Sequence, residues 1–306
     1  MLTDRVQRAY EAIAKVERVA AQFPGDKYVL ANLASLKRDA EELERQWSEV
    51  ARLEQKEVLR YRLVPSLDGA YAIRAVTKSL LDFQELFSQV YDALKNGARK
   101  QARVAADLVE QTTFNFAFSY PGSLGIAMSV DTRPNLFGGQ FDTAVDAFMQ
   151  IVEVESEDDI RELAKTLGDA VVKRTFDWAK VNLEANYAVD LDWTTIKGLH
   201  KGGMIDVDAF GRLVSVIGRT SDVKRDSVKV VGILVGLDSK TRRFRFVDPD
   251  GQDYAGPLSE NFPAGAIWGV NEAYVAEIEV EETVEYATET TKQVHRLKQL
   301  EPTQKG

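Results

Sequence analysis

Cysteine is absent from the 306 residues, and histidine occurs only twice, as His200 and His295. The first absence excludes disulfides, thiolate nucleophiles and cysteine-ligated metals. The second leaves too few imidazoles for a histidine-rich metal site within one chain. Neither histidine has a second metal-ligating side chain three or four positions away, so no metal and no cofactor is expected. Basic residues are also in deficit: 39 Lys and Arg stand against 48 Asp and Glu, a net charge of -9. That balance argues against wrapping of nucleic acid or binding of an anionic membrane. No apolar run approaches the roughly 20 residues of a spanning helix. Met1-Leu2-Thr3-Asp4-Arg5 leads into a charged amphipathic stretch without an apolar signal core. A cytoplasmic location without a membrane partner is the expectation. What is present suits a globular chain, with 44% hydrophobic and 28% charged residues. The length suffices for about two domains.

The first sixty residues read as two helices. Val6, Tyr10, Ile13, Val16, Ala20 and Phe23 recur every three or four positions, on one helical face. Pro24-Gly25-Asp26 breaks the pattern, and Asp26 can cap a second helix from about Lys27 to Glu57. Its seam is Val29, Leu33, Leu36, Ala40, Leu43, Trp47 and Val50, alternating steps of four and three as in a coiled coil. This segment balances 11 basic with 11 acidic residues over positions 1–60. Such a hairpin either packs on the rest of the chain, meets a second copy or docks another protein. Residues 1–57 are therefore read as a helical hairpin, and 58–220 as a mixed α+β domain. The latter has a strand over 58–64, a helix over 73–95 and a β-hairpin over 112–130. In the β-hairpin Phe114, Phe116 and Phe118 alternate and should share one sheet face. Turns are expected at 66–69 and 120–123, and a loop over 131–139. Helices follow near 141–152, 157–167 and 168–186, then a short strand at 189–193. Residues 194–226 are ambiguous, with Ser221–Asp226 polar enough for a linker or turn.

Residues 227–301 read as a small SH3-like β-barrel of four or five strands. In its strand 273–286, Ala276, Ile278, Val280, Val284 and Tyr286 face one way and Glu277, Glu279, Glu281 and Glu285 the other. A bulge or bend is expected at Glu282-Thr283. The fold class is thus α+β: helical hairpin with heptad seam, central mixed domain, C-terminal barrel.

Candidate chemistry is sparse. Pro121-Gly122-Ser123-Leu124-Gly125 departs from a nucleophile elbow at its first position, where Pro121 stands for glycine. Gly198-Leu199-His200-Lys201-Gly202-Gly203 has the glycine, lysine and histidine of an anion-binding loop but not the order of a P-loop. Asp248-Pro249-Asp250-Gly251 fails the EF-hand register and reads as a β-turn. Arg243-Phe244-Arg245 interleaves base and aromatic, as nucleic-acid-binding barrels do, or else pairs with the glutamates of the 273–286 strand. The function expected is a non-catalytic interaction or assembly protein. It would oligomerise or dock a protein partner through Leu36, Leu43 and Trp47 and offer Glu277, Glu279 and Glu281 to a basic surface. The alternatives are a hydrolase acting on nucleic acid or nucleotides, and a ligand sensor using the loop 198–203.

Overall fold

The computed structural model describes residues 1–66, 70–121, 123–132, 140–263, 267–288 and 290–303, the side chains of 222 and 224 excepted. Residues 67–69 of the expected turn at 66–69, most of the loop 131–139 and Gly122 lie outside the described residues. The chain is mixed α+β, with eight helices and two five-stranded antiparallel sheets among the described residues. It divides into two compact units, Met1–Arg219 and Thr220–Gly306. The hairpin and the central region, separated at residue 57 in the sequence reading, belong to one unit. No helix among the described residues is long and apolar enough to cross a membrane.

In the first unit α1 (Leu2–Gln22) and α2 (Lys27–Leu53) form the hairpin. Asp26 starts α2 by accepting the Tyr28 and Val29 backbone N–H groups at 2.8 and 3.3 Å. Then come β1 (Lys56–Pro65), α3 (Ile73–Asn96), α4 (Ala106–Thr112), β2 (Asn115–Tyr120) and β3 (Leu124–Asp131). They are followed by α5 (Gln140–Val152), α6 (Glu157–Leu167), α7 (Asp169–Ala185), β4 (Tyr187–Thr194), β5 (His200–Ile205) and α8 (Val207–Arg219). The sheet runs β2-β3-β1-β4-β5.

Strand alternation gives this sheet two buried faces. On one, Val58 joins Phe118 and Ala127 against Val6, Trp47 and Ala51 of the hairpin. On the other, Tyr61 meets Phe83 of α3 and Trp178 of α7. Trp178 Nε1 donates to Tyr61 Oη at 3.0 Å, Tyr61 Oη lies 2.7 Å from Ser79 Oγ, and Ser79 donates to Asn182 Oδ1 at 2.7 Å. These buried polar groups satisfy one another, as burial demands.

The three phenylalanines do not share a face. Register slips between Phe116 and Phe118, so Ala117 is a bulge. Phe118 packs on Trp47 and Tyr10 of the hairpin, Phe114 packs on Phe83 and Phe87 of α3, and Phe116 is exposed.

The second unit comprises β6 (Ser221–Asp238), β7 (Arg243–Val247), β8 (Asp253–Pro257), β9 (Ala273–Glu285) and β10 (Thr290–Pro302). The polar stretch Ser221–Asp226 is neither linker nor turn but the start of β6, paired with β9 from Glu285 to Val280. Strands β6, β7 and β8 meander, β9 returns to β6, and β10 pairs with β9. A parallel bridge from Leu258 to Leu297 brings the two outer strands together, so the sheet is a nearly closed barrel. Its core holds Leu234, Phe244, Phe246, Tyr274, Ile278 and Leu297. β9 itself pairs without interruption through Glu282-Thr283; the irregularities fall at Val235 of β6 and Lys298 of β10. The core face over Ala276, Ile278, Val284 and Tyr286 is buried as the alternation requires.

Candidate functional site

The candidate anion-binding residues lie on β5, the edge strand beside β4. The segment 198–203, read as a glycine-rich loop, is from His200 onward the edge strand β5, paired His200 to Thr194 through Ile205 to Val189. Alternation therefore parts the two candidate anion ligands: His200 and Lys201 leave the strand on opposite faces. His200 lies on the hairpin side, its Nδ1 3.1 Å from Asp192 Oδ1 and 3.3 Å from Thr194 Oγ1. There it lines a hollow of about 200 Å³ with Arg45, Arg52 and Lys56. Arg45 is already engaged by Glu42 and Glu49, and Lys56 by Glu54. Lys201 lies on the helix side, 2.6 Å from Asp146 of α5. Gly202 and Gly203 sit exposed on the strand.

Above β1 on the hairpin side, Arg60 bridges Glu44 of α2 at 3.0 Å and Asp192 of β4 at 3.1 Å. Tyr10 of α1 donates to Glu44 at 2.8 Å, and Arg62 pairs with Asp190. Burial raises the Tyr10 pKa, with the Glu44 charge adding to it, and burial pushes Tyr120 up to about 12. Tyr10, Glu44 and Arg60 tie the hairpin to the sheet, and Arg62–Asp190 ties β1 to β4.

The opposite face holds a group that sequence reasoning missed. Glu57 of β1 is 2% exposed and accepts from Trp193 Nε1 of β4 at 2.5 Å. Desolvation pushes its pKa up to about 7. The Trp193 bond, the Ile196 backbone N–H and Lys201 oppose the rise, and the charge of Asp142 adds to it. Asp142 itself pairs with Lys197 at 2.7 Å, which raises the lysine pKa. Such a carboxyl can hold or release a proton near neutrality, but its enclosure keeps solutes from it. Among the described residues no group of three or more His, Asp or Glu could hold a metal ion.

On the barrel, the expected base-stacking residue points inward: Phe244 is a core side chain. Arg243 is exposed, and Arg245 forks onto Asp253 of β8 with contacts of 2.8–3.2 Å. Neither faces the glutamates of β9, because β7 pairs with β6 and β8. Glu281 instead pairs with Arg225 of β6 at 2.8 Å. Glu279 pairs with Lys298 and Arg296 of β10 at 2.8 and 3.3 Å, which holds its pKa below the usual range. Glu277 accepts from Ser227 at 3.0 Å. Asp248 accepts the backbone N–H groups of Asp250 and Gln252, which spends its carboxylate on the turn.

Of the hairpin seam, Trp47 is buried against Phe118, Leu43 packs at the edge of the same core, and Leu36 is half-buried. The distal end differs: Phe23 is 59% and Tyr28 88% exposed, with Val19 and Leu30 exposed beside them in sequence. No family model, curated protein or solved structure matches this chain.

Proposed function

We propose that the protein is a non-catalytic assembly protein that associates with a second copy of itself through the distal half of its helical hairpin. The observation that carries this reading is the exposure of Val19 and Phe23 at the end of α1 and of Tyr28 and Leu30 at the start of α2. Apolar side chains exposed on both helices near one turn lie outside the chain's own core and gain by being covered. Residues 1–60 are charge-balanced, so the hairpin itself adds no net repulsion where two copies meet. Trp47 serves the core of the first unit, which moves the docking surface from the seam to the exposed residues beside the turn between α1 and α2.

The barrel is the second surface in this reading. Its strand order, with the first strand between the second and the fourth and the third closing on the fifth, is that of a five-stranded Greek-key barrel of the oligonucleotide/oligosaccharide-binding type. We adopt that assignment over the SH3-like shape suggested by strand count. An inward Phe244 and a paired Arg245 deprive it of a stacking platform. Its outer face offers instead the exposed Val231, Ile233 and Val235 of β6, which suits a protein surface better than a nucleic acid. The paired Glu279 and Glu281 give a basic partner little free charge.

The test is solution mass by light scattering at high protein concentration. The wild type should exceed the 34.2 kDa of one chain, and Phe23→Ser with Tyr28→Ser should return it to one chain with an unchanged circular-dichroism spectrum. A monomeric wild type overturns the proposal.

A further inference from the structure

β5 is the last strand of the first sheet and, among the described residues, pairs only with β4. Alternate residues of such an edge turn their N–H and C=O groups outward, where another strand can pair. Proteins commonly guard this kind of edge with charge, proline or a bulge. Here Gly202-Gly203-Met204 is exposed and keeps a regular register. Gly202 is explained by the fold: its φ is +140°, and a Cβ would run into the Leu191 carbonyl oxygen. Gly203 is not, since a Cβ there would meet nothing within 4 Å. A glycine that no neighbour crowds, inside a strand, fits a place where another backbone comes close.

An open cleft of about 760 Å³ runs along the same edge. One wall is the chain from Lys201 to Asp206; across from it stand α5 with Met149 and Val152, and α8 with Ala209 and Arg212. A strand edge facing a helix across a groove is the arrangement in which peptides add to a sheet. Charge selects the occupant. Lys201 and Asp146 neutralise each other at 2.6 Å. That leaves Glu153, Glu155 and Asp206 against Arg212 in the lining, an excess of two negative charges.

We infer that this edge binds an extended, basic segment of a partner protein as an added strand, with lysine or arginine side chains toward the acidic rim and aliphatic ones toward Met149 and Val152. The site lies apart from the hairpin tip and does not depend on self-association.

The experiment is fluorescence anisotropy on the full chain with a dye-labelled octapeptide of alternating lysine and valine, and its alternating glutamate and valine counterpart. The basic peptide should bind saturably, and the acidic one about tenfold or more weakly. Glu153→Lys with Glu155→Lys should weaken the basic peptide severalfold. Amide hydrogen exchange over His200–Ile205 should slow in the complex. Phe23→Ser with Tyr28→Ser should leave peptide binding unchanged, which separates this site from the assembly surface. Absence of saturable binding, equal binding of the acidic peptide, or binding without slowed exchange in β5 overturns the inference.

Discussion

Replacing Glu57 with glutamine should change how stability depends on pH more than it changes stability itself. Glu57 is enclosed between β1 and β4, and its pKa stands at about 7 in the folded chain against 4.5 for a solvated glutamate. The folded state thus holds this proton more tightly than the unfolded state. Stability from this group is greatest below about 4.5, falls as pH rises, and levels off above about 7. At 1.36 kcal/mol per tenfold change the span is about 3 kcal/mol. Carboxylates held low, such as Asp159 in its capping box, act with the opposite sign and below the usual carboxylate range. Subtracting the variant from the wild type removes their contribution. Glutamine can still accept from Trp193 but cannot also accept the Ile196 N–H while presenting its amide nitrogen there. One lost hydrogen bond costs about 1 kcal/mol. Glu57→Gln should therefore be about 2 kcal/mol more stable than wild type at pH 8 and about 1 kcal/mol less stable near pH 4.5. Urea titrations at several pH values, followed by tryptophan fluorescence, measure this, because Trp47, Trp178 and Trp193 are all buried in the first unit. Parallel stability-versus-pH curves for the two proteins would refute the reasoning.

In the barrel, Ile278→Asp puts an unpaired carboxylate into a fully buried site and should cost more than about 4 kcal/mol. Calorimetry should then lose the transition of the second unit and keep that of the first. Glu277→Gln, at a carboxylate that accepts from the Ser227 hydroxyl, should stay within about 0.5 kcal/mol of wild type by the same measurement. Gly256→Ala drives a Cβ into the His295 carbonyl oxygen at the meeting of β8 and β10, so the barrel transition should fall by several degrees. An unshifted transition would mean that the closure adds no stability.

Regular periodicity was readable where a single neighbour decides each face. The helix bounds of α3, α6 and α7 and the core face of β9 follow from it, since Ile278 and Ala276 cannot turn outward without burying Glu277 and Glu279. Three kinds of feature were not readable. Ala117 gives no local sign of a bulge, because the slip is set by pairing with β3. Gly202-Gly203 resembles a loop from composition alone, yet Gly202 is there because β4 passes too close for a side chain. Glu57 gains its partner from Trp193, 136 residues away, and a lone glutamate beside Lys56 carries no hint of burial. The glutamates of β9 show the same limit. The sequence offers many arginines, and only register assigns Arg225 to Glu281 and Arg296 to Glu279.

The heptad seam of α2 shows why one pattern can serve two ends. Steps of four and three keep Leu33, Leu36, Ala40, Leu43 and Trp47 in line, whatever lies opposite. Ala40, Glu44, Trp47 and Ala51 are buried, while nothing between Lys27 and Asp39 is. That outer half spans about 20 Å at 1.5 Å per residue. It packs on α1, and a helix pair of that length is marginal by itself. Added burial from a second copy would supply what the sheet supplies to the inner half. Changes at Leu43 or Trp47 strike the core of the first unit and any contact between copies together. Changes at Phe23 and Tyr28, which the chain leaves largely uncovered, strike association alone, and they are the positions at which assembly and folding come apart.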